Sequence, residues 1–254
     1  MKITILGSGS AYGCPTCFNQ WGEADPDNGK NERTRASILL ETQGKTFLID
    51  AGPDFRQQIN RNKVRNVDAV LLTHGHYDHI GGVPELPRAS KILAHSLSVW
   101  ASKETLEELQ RCYFYLFNGG EKESTGIQWN LLPDFGKTEI AGVDFFMFTV
   151  PHHNLRCSAF RCGDMAYVTD WENIPEQALK YLQDLKLLVI ECNNGTEESV
   201  NGHSNLALVK KYADIIKSQQ VVLSHLSTRV DYEAFFSLLP QNWQPAYDGL
   251  AIEI

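Results

Sequence analysis

The stretch LLTHGHYDHIGG, from Leu71 to Gly82, limits what this chain can be more than any other part of its sequence. Three histidines and an aspartate occupy six consecutive positions there, directly after an apolar run that predicts a β-strand. Buried polar groups cost on the order of several kcal/mol unless they have partners, so these side chains would fill a core poorly. Imidazole nitrogens with a few carboxylates suit zinc, iron or manganese. The stretch therefore predicts a metal-binding loop, the alternative being core histidines with satisfied hydrogen bonds.

The pattern of apolar segments predicts an α/β fold. Short runs rich in Val, Ile and Leu predict strands over residues 2–6, 36–42, 45–50, 68–73, 91–95, 143–150, 165–170, 187–192 and 220–225. Helical periodicity predicts helices over residues 53–63, 97–112, 174–185, 204–219 and 231–239. Hairpins dominate the first part and strand–helix alternation the second, which is typical of mixed sheets covered by helices. With no visible linker or repeat, residues 1–254 are expected to form a single domain.

Charge and composition narrow the classes of partner and the compartment. The formal net charge of −8 argues against a broad nucleic-acid surface. No apolar run reaches the roughly 18 residues of a membrane span, and the start MKITILGSGS lacks the apolar core of a signal peptide. The six cysteines follow no regular framework, so we expect a cytoplasmic protein with free thiols and no membrane partner.

Several predicted strands end in a histidine or an aspartate, and these residues are Asp50, His74, Asp170 and His225. Helices cover the faces of a sheet in α/β folds and leave the carboxyl edge of the strands open, where active-site groups collect. We therefore expect these side chains to meet at one edge of the fold.

The segment from His74 to His79 resembles the H-x-H-x-D-H motif of the metallo-β-lactamase superfamily, and the resemblance extends over essentially the whole chain. The later stretches TVPHHN, AYVTD and VVLSH follow in the order of that family's remaining ligands. The resemblance implies a four-layer αβ/βα sandwich of two mixed sheets, with two divalent ions, Zn²⁺ or Mn²⁺, at the edge between the sheets. It implies that one ion binds His74, His76 and His152, that the other binds Asp78, His79 and His225, and that Asp170 bridges them.

Two of the roles that the resemblance implies have alternatives, one for a metal ligand and one for a residue that supports a ligand. His153, the neighbour of His152, can take its place as a ligand. Asp50, in LIDAGPD, resembles the family's aspartate below the metal loop, which orients a ligand. Asp50 can also cap the helix that is predicted to begin at Pro53, and the two roles are compatible.

Three further stretches resemble the phosphodiesterase branch typified by phosphoribosyl 1,2-cyclic phosphate phosphodiesterase: WGEADPDNGKNERTRASILLE, NGHSNLALV and LSHLSTRVDYEAF with PAYDGLAIEI. In that branch a histidine at the position of His203 protonates the leaving oxygen, a role worth roughly 10²–10⁴-fold in rate. The alternative for His203 is a surface residue at a helix N-terminus. Arg33 and Arg35 can bind a phosphate, or they are surface charges on a solvated loop.

The resemblance implies a metal-dependent hydrolase that cleaves a small cyclic or nucleotide-like phosphodiester. A metal-bridged hydroxide would attack phosphorus, Asp78 would orient it, and His203 would act as general acid. One feature departs from the branch, whose additional structural zinc site needs three cysteines and a histidine. This chain supplies Cys14 and Cys17 and has Thr228 at the histidine position, so we expect no structural zinc.

Other functions remain open on sequence alone. A tRNA 3′-processing nuclease of the same superfamily would need a basic, glycine-rich arm, whereas the longest predicted loop (117–128) carries Glu-Lys-Glu. A thioester or lactone hydrolase would use the same metals, and a non-catalytic metabolite-binding protein would not need the complete ligand set. The aromatic run CYFYLF (112–117) predicts core packing, with a pocket wall or a homodimer contact as alternatives.

Overall fold

The computed structural model describes residues 1–117, 126–198 and 202–254. Most of the predicted loop at 117–128 lies outside these residues. The strands are β1 Lys2–Gly7, β2 Ser37–Thr42, β3 Lys45–Ile49, β4 Ala69–Leu71, β5 Leu97–Ala101, β6 Ile127–Leu131, β7 Phe135–Ile140, β8 Val143–His152, β9 Leu155–Cys162, β10 Met165–Val168, β11 Leu187–Glu191, β12 Gln220–Ser224, β13 Trp243–Pro245 and β14 Ala251–Glu253. The α-helices are α1 Phe55–Arg61, α2 Tyr77–Ile80, α3 Leu86–Leu93, α4 Lys103–Cys112, α5 Glu176–Leu179, α6 Leu206–Ile216 and α7 Tyr232–Phe236.

The strands form two mixed seven-stranded sheets with the same pairing pattern. The first sheet has the order β14-β1-β2-β3-β4-β5-β6 and the second the order β13-β12-β11-β10-β9-β8-β7. Four strands at one side of each sheet pair antiparallel, and the remaining pairs are parallel. The chain therefore builds two similar halves, although β14 at its C-terminal end completes the first sheet.

Alternation along the strands produces three layers of core. Successive side chains of a strand point to opposite faces, so Phe47 packs between the sheets whereas Leu48 packs under helices. The central layer also holds Ile38 and Tyr167, the outer layer of the first sheet receives α1, α3 and α4, and that of the second sheet receives α5, α6 and α7. The expected αβ/βα sandwich is confirmed.

Two local predictions were wrong. The run KILAH (91–95), predicted as a strand, belongs mostly to helix α3, on which Leu86 and Ser90 are the buried residues. The start of the helix predicted over 97–112 is instead β5, where Leu97, Val99 and Ala101 alternate with half-buried neighbours. A short apolar run fits a buried strand or a helix equally well, and here the packing decides. Among the described residues, no helix is long and apolar enough to cross a membrane.

Candidate active site

The predicted metal-binding residues converge at one edge between the sheets. Strands β3, β4, β8, β10 and β12 run in the same sense within their sheets and end at this edge. Asp50, Asp170 and His225 follow three of these strands with positive φ angles of 65°, 49° and 55°. Non-glycine residues in this left-handed region are uncommon and cluster at functional sites, where surrounding contacts hold them. The turn that follows each strand therefore sets the direction of these side chains.

One cluster of ligand atoms consists of His74, His76 and His152, and we call it the three-histidine group. Its ligand atoms lie within 4.8 Å of one another. The Nδ1 atom of His152 lies 2.8 Å from the carbonyl oxygen of Gly202. A carbonyl only accepts, so Nδ1 carries the hydrogen and Nε2 is left as the acceptor that a metal ion needs.

A second cluster consists of Asp78, His79 and His225, and we call it the mixed group. Its ligand atoms also lie within 4.8 Å of one another. The Oδ2 atom of Asp78 is 3.1 Å from Nε2 of His79 and 3.4 Å from Nε2 of His225. All three residues are buried, with helix α2 placing the first two and the end of β12 placing the third.

Asp170 lies between the two groups. Its Oδ1 atom is 3.7 Å from Nε2 of His152 and 3.5 Å from Nε2 of His225, and its Oδ2 atom is 3.2 Å from Nε2 of His79. The carboxylate thus reaches side chains of both groups, as a bridging ligand would. The structure brings together all seven side chains predicted as ligands.

Asp50 supports this arrangement from below. Its carboxylate accepts hydrogen bonds from the backbone N–H of Thr73 at 2.8 Å and from Nδ1 of His79 at 2.7 Å. The hydroxyl of Thr73 contacts both carboxylate oxygens of Asp50, at 3.0 and 2.9 Å, and Nδ1 of His74 at 3.1 Å. Fixing Nδ1 of a histidine turns its Nε2 toward the metal side. Asp50 makes no side-chain cap to the following helix, whose first residue is Phe55.

The protonation states of the cluster suit a metal ion. Burial opposes ionisation of Asp78 and Asp170, but neighbouring imidazoles outweigh it and hold the pKa of both carboxyl groups below the usual value. The pKa of each member of the three-histidine group is lowered, and burial of the imidazole is the largest cause in every case. Ionised carboxylates and neutral imidazoles are the forms that bind metals. In the described part of the chain, the buried Nε2 of His74 has no hydrogen-bond partner, so the donor set fits a divalent cation.

His79 and His225 behave differently because carboxylates surround them. Burial lowers the pKa of His79, but Asp78, Asp50 and Asp170 outweigh it and raise that pKa well above the usual value. Asp170 and Asp78 raise the pKa of His225 against burial in the same way. The neighbouring carboxylates therefore favour the protonated form of both imidazoles.

His203 lies at the rim of the cluster. Its Nδ1 atom is 3.6 Å from Oδ1 of Asp170 and 3.5 Å from Oε1 of Glu191, and its ring stacks on that of His225 with centroids 5.3 Å apart. Glu191 ends β11 with a fully buried side chain, which also accepts from the backbone N–H groups of Asn193 at 2.8 Å and Ser204 at 3.2 Å. Sequence analysis missed Glu191, although a glutamate that closes an apolar strand in VIEC was a signal.

A cavity of about 570 Å³ opens over both groups. Its lining consists of Ser10, Ala11, Tyr12, His76, Tyr77, Asp78, His152, His153, Asp170, Asn193, Asn194, His203, Ser227 and Arg229. A neighbouring cavity of about 830 Å³ shares His76 and extends along helix α4. His153, the alternative ligand, is exposed, whereas His152 is 1% exposed.

Arg33 and Arg35 are not among the residues that line this cavity. The guanidinium of Arg33 is buried and donates to the carbonyl oxygens of Ser227 at 3.1 Å and Val230 at 2.7 Å. The guanidinium of Arg35 pairs with both carboxylate oxygens of Asp54 at 3.2 Å. These contacts hold the N-terminal loop in place, and the predicted phosphate binding by the two arginines stays a prediction.

The two N-terminal thiols, which are predicted to be free, do not belong to the metal cluster. Cys14 is buried and Cys17 is exposed, and among the described residues no cysteine belongs to a group that could hold a metal ion. The aromatic run at 112–117 is only partly core: Leu116 is buried, whereas Phe114 is 60% exposed and Tyr115 is 52% exposed.

Fold and site together define a metallo-hydrolase with two adjacent clusters of metal-binding side chains. The sequence matches the model of the beta-lactamase superfamily domain over residues 45–226, and the chain belongs to that superfamily.

Several known proteins resemble this chain in sequence or in structure. The crystal structure of a new diphosphatase from the PhnP family superposes with a TM-score of 0.88 and 27% identity, covering 100% of this chain and 97% of that one. The Zn²⁺-bound PqqB from Methylobacterium extorquens shares the fold, with a TM-score of 0.76, 19% identity and full coverage of both chains. The octanoyltransferase of Porphyromonas gingivalis (strain ATCC BAA-308 / W83) is 30% identical over 98% of this chain, which spans only 51% of that relative.

Proposed function

We propose that this protein is a two-metal phosphodiesterase that acts on a small cyclic or nucleotide-like phosphodiester. The observation that carries the proposal is the position of His203 at the rim, beside two ligand groups that are each complete without it. Metal ligands alone serve many hydrolases, whereas an additional histidine at the rim supplies a proton to a leaving alkoxide. The similarity to a diphosphatase of the PhnP family supports a phosphorus-containing substrate.

The three-histidine group would hold one divalent ion and the mixed group the other, with Asp170 shared between them. Zn²⁺ and Mn²⁺ both suit this donor set. Two such ions supply an activated water and offset the charge that develops on the phosphate. The chain's own residues then have three tasks: orienting the nucleophile, positioning the acid and admitting the substrate.

Asp78 is the residue best placed to orient the nucleophile. Its carboxylate is buried, its lowered pKa keeps it ionised, and it lines the cavity above both groups. An ionised carboxylate accepts a hydrogen bond from a water molecule and fixes the direction of attack.

His203 is the proton donor in this proposal, and Glu191 positions it. Glu191 lies 3.5 Å from Nδ1 of His203, which directs the opposite ring edge away from the carboxylate. The backbone bonds from Asn193 and Ser204 hold Glu191 itself, so the orientation of His203 depends on the turn after β11. Because p-nitrophenolate leaves without a proton, loss of His203 should affect alkyl leaving groups far more than aryl ones.

The test is hydrolysis of bis-p-nitrophenyl phosphate and of an alkyl cyclic phosphodiester by the metal-reconstituted protein. Asp78→Ala should abolish both activities. His203→Ala should lower kcat roughly 10²–10⁴-fold on the alkyl substrate and much less on the aryl one. His95→Ala, an exposed histidine outside both cavities, is the matched control. No turnover of either substrate by the fully metallated wild type would overturn the proposal.

A second candidate function is hydrolysis of a diphosphate. The similarity of this chain to the PhnP-family diphosphatase favours it. Cleavage of a phosphoanhydride expels a phosphate, which needs little help from an acid. A nucleoside diphosphate in the same assay separates the two functions, because His203→Ala would then leave kcat nearly unchanged. An octanoyl thioester belongs in the assay as well, because this chain is similar to about half the length of an octanoyltransferase.

A further inference from the structure

Two tyrosines stand exposed at the mouth of the metal cleft. Tyr12 is 76% exposed and Tyr77 is 62% exposed, and both line the cavity of about 570 Å³ that also contains Asp78, Asp170 and His203. Apart from imidazoles, they are the only aromatic side chains among the described residues that line it. Within the described part of the chain, neither ring makes a side-chain hydrogen bond or an aromatic ring contact. Two large apolar faces are thus presented to the cavity.

The ring of Tyr77 has a fixed position relative to the metal-binding residues. Tyr77 lies between His76 and Asp78 in the sequence and is the first residue of α2. Its ring packs over Gly81, since a Cβ at that position would lie 2.8 Å from Cε2 and 3.0 Å from Cδ2 of the tyrosine. Glycine at position 81 is therefore what allows the ring to occupy this place.

The ring of Tyr12 stands on a tight turn that is tied to the other side of the cleft. The N–H of Gly13 donates to the carbonyl oxygen of Ser10 at 2.8 Å, and Gly13 has a φ of 69°. The N–H of Ser10 in turn donates to the carbonyl oxygen of Leu226 at 3.1 Å, directly after His225. Both tyrosines are thus carried by backbone that contacts the metal-binding loops, which fixes the place of their Cα atoms at the mouth of the cleft.

The remaining wall of the cavity is polar. Asn193, Asn194 and Ser227 line it with amide and hydroxyl groups whose Nδ2 and Oγ atoms donate to backbone carbonyls of the protein. Arg229 adds a guanidinium that pairs with Glu197 at 2.8 Å. The cavity volume of about 570 Å³ falls within the roughly 300–1,000 Å³ of sites that bind drug-sized ligands. This volume is larger than a bare sugar phosphate needs. Hydrogen-bonding groups along one wall and aromatic faces at the mouth match a ligand with a hydroxylated sugar and a flat ring.

We propose that Tyr12 and Tyr77 form an aromatic subsite that stacks on the base of a nucleotide whose phosphodiester lies over the metal-binding residues. The inference rests on the proposed function and narrows its substrate class to nucleotide-type phosphodiesters. Stacking on a tyrosine face is sequence-tolerant because every base has a π-face, so both purines and pyrimidines should be accepted.

The kinetic test compares adenosine 2′,3′-cyclic phosphate with the same cyclic phosphate on a ribose that lacks the base. Tyr12→Leu or Tyr77→Leu should raise KM for the nucleotide about 5- to 150-fold, the usual effect of losing one stacked ring. KM for the base-free substrate should stay within about 2-fold, because stacking plays no part there. Phenylalanine at either position keeps the ring and should keep the wild-type KM. Phe236→Leu, an exposed aromatic outside this cavity, is the control.

A binding test gives an answer that does not depend on turnover. Calorimetry of the metal-loaded wild type should give an affinity for adenosine 5′-monophosphate about 5- to 150-fold higher than for ribose 5-phosphate. Replacing both Tyr12 and Tyr77 with leucine should abolish this difference and leave the affinity for ribose 5-phosphate unchanged. Equal affinities in the wild type, or equal losses for both ligands in the variant, would overturn the aromatic subsite. Absence of phosphodiester cleavage together with a preserved preference for the nucleotide would overturn only the proposed function.

Discussion

Asp50→Asn should weaken metal binding while leaving the fold intact, and it isolates the contribution of the carboxylate below the metal-binding residues. Asparagine keeps the shape of Asp50 but replaces one acceptor oxygen with a donor NH₂. If the remaining oxygen keeps the two bonds to Thr73, the NH₂ faces Nδ1 of His79, which now lies 2.7 Å from the carboxylate. The imidazole must then move its proton to Nε2, the atom that the mixed group presents to the cation.

The magnitude follows from the behaviour of such partners in metal sites. Replacing a group that orients a ligand typically costs about 10- to 100-fold in metal affinity, or about 1.4–2.7 kcal/mol. Metal-induced stabilisation should fall by the same amount at saturating metal, which lowers Tm by about 3–11 °C for a chain of this size. The metal-free variant should lose about 1–3 kcal/mol of unfolding free energy, the cost of one mismatched buried donor, and this loss adds to the fall in Tm of the metal-bound variant.

The assay is competition between the metal-depleted protein and a chromophoric zinc chelator, with thermal unfolding measured beside it. Asp68→Asn is the matched control, because Asp68 also accepts a backbone N–H, from Thr46 at 2.9 Å, but lies before β4 and away from the cluster. Equal zinc affinities for Asp50→Asn and the wild type would refute the argument that Asp50 sets the protonated nitrogen of His79. A loss of affinity in Asp68→Asn as large as that in Asp50→Asn would refute it too.

Three further predictions follow from packing and pKa. A Cβ at Gly52 would lie 2.1 Å from the carbonyl oxygen of Asp78, so Gly52→Ala should displace the metal-binding loop and lower metal affinity at least about 10-fold, whereas Gly29→Ala, with open space around it, should not. Burial raises the pKa of Cys162 to about 11, so mass spectrometry after iodoacetamide treatment at pH 8 should find Cys17 alkylated and Cys162 intact. The carboxylates that raise the pKa of His79 and His225 favour protons on these imidazoles, and a metal must displace those protons, so calorimetric affinity at the mixed group should fall as the pH falls from 8 to 6.5. The three-histidine group has lowered pKa values and should change little over the same range.

The metal-binding loop could be predicted from sequence because its chemistry is local. His74, His76, Asp78 and His79 lie within six residues, and no core would gain from such a set. The polar ends of the apolar runs also predicted that Asp170 and His225 would lie at one edge. They follow β10 and β12, which run in the same sense within the second sheet. Local pattern was sufficient wherever the defining residues are close in the chain.

Prediction failed where neighbours in space are distant in the chain. His203 lies beside Glu191, twelve positions away, and the turn that carries Tyr12 is bonded through Ser10 to Leu226, so no local pattern could join them. The roles of Arg33 and Arg35 could not be judged either, because their contacts include residues from other loops. Helix α3 and strand β5 were exchanged because their apolar runs are too short to show a period.

The sequence by itself indicated the α/β class and the metal-binding loop, and its resemblance to a known superfamily implied the layered fold and the full set of ligands. The α/β class and the loop depend on the alternation of apolar and polar positions and on the chemistry of a few side chains. Only the tertiary structure decided that the two sheets repeat one pairing pattern, that β14 completes the first sheet beside β1, and that two tyrosines line the same cavity. Such long-range contacts depend on chain closure and on packing between distant segments, which no short stretch of sequence encodes.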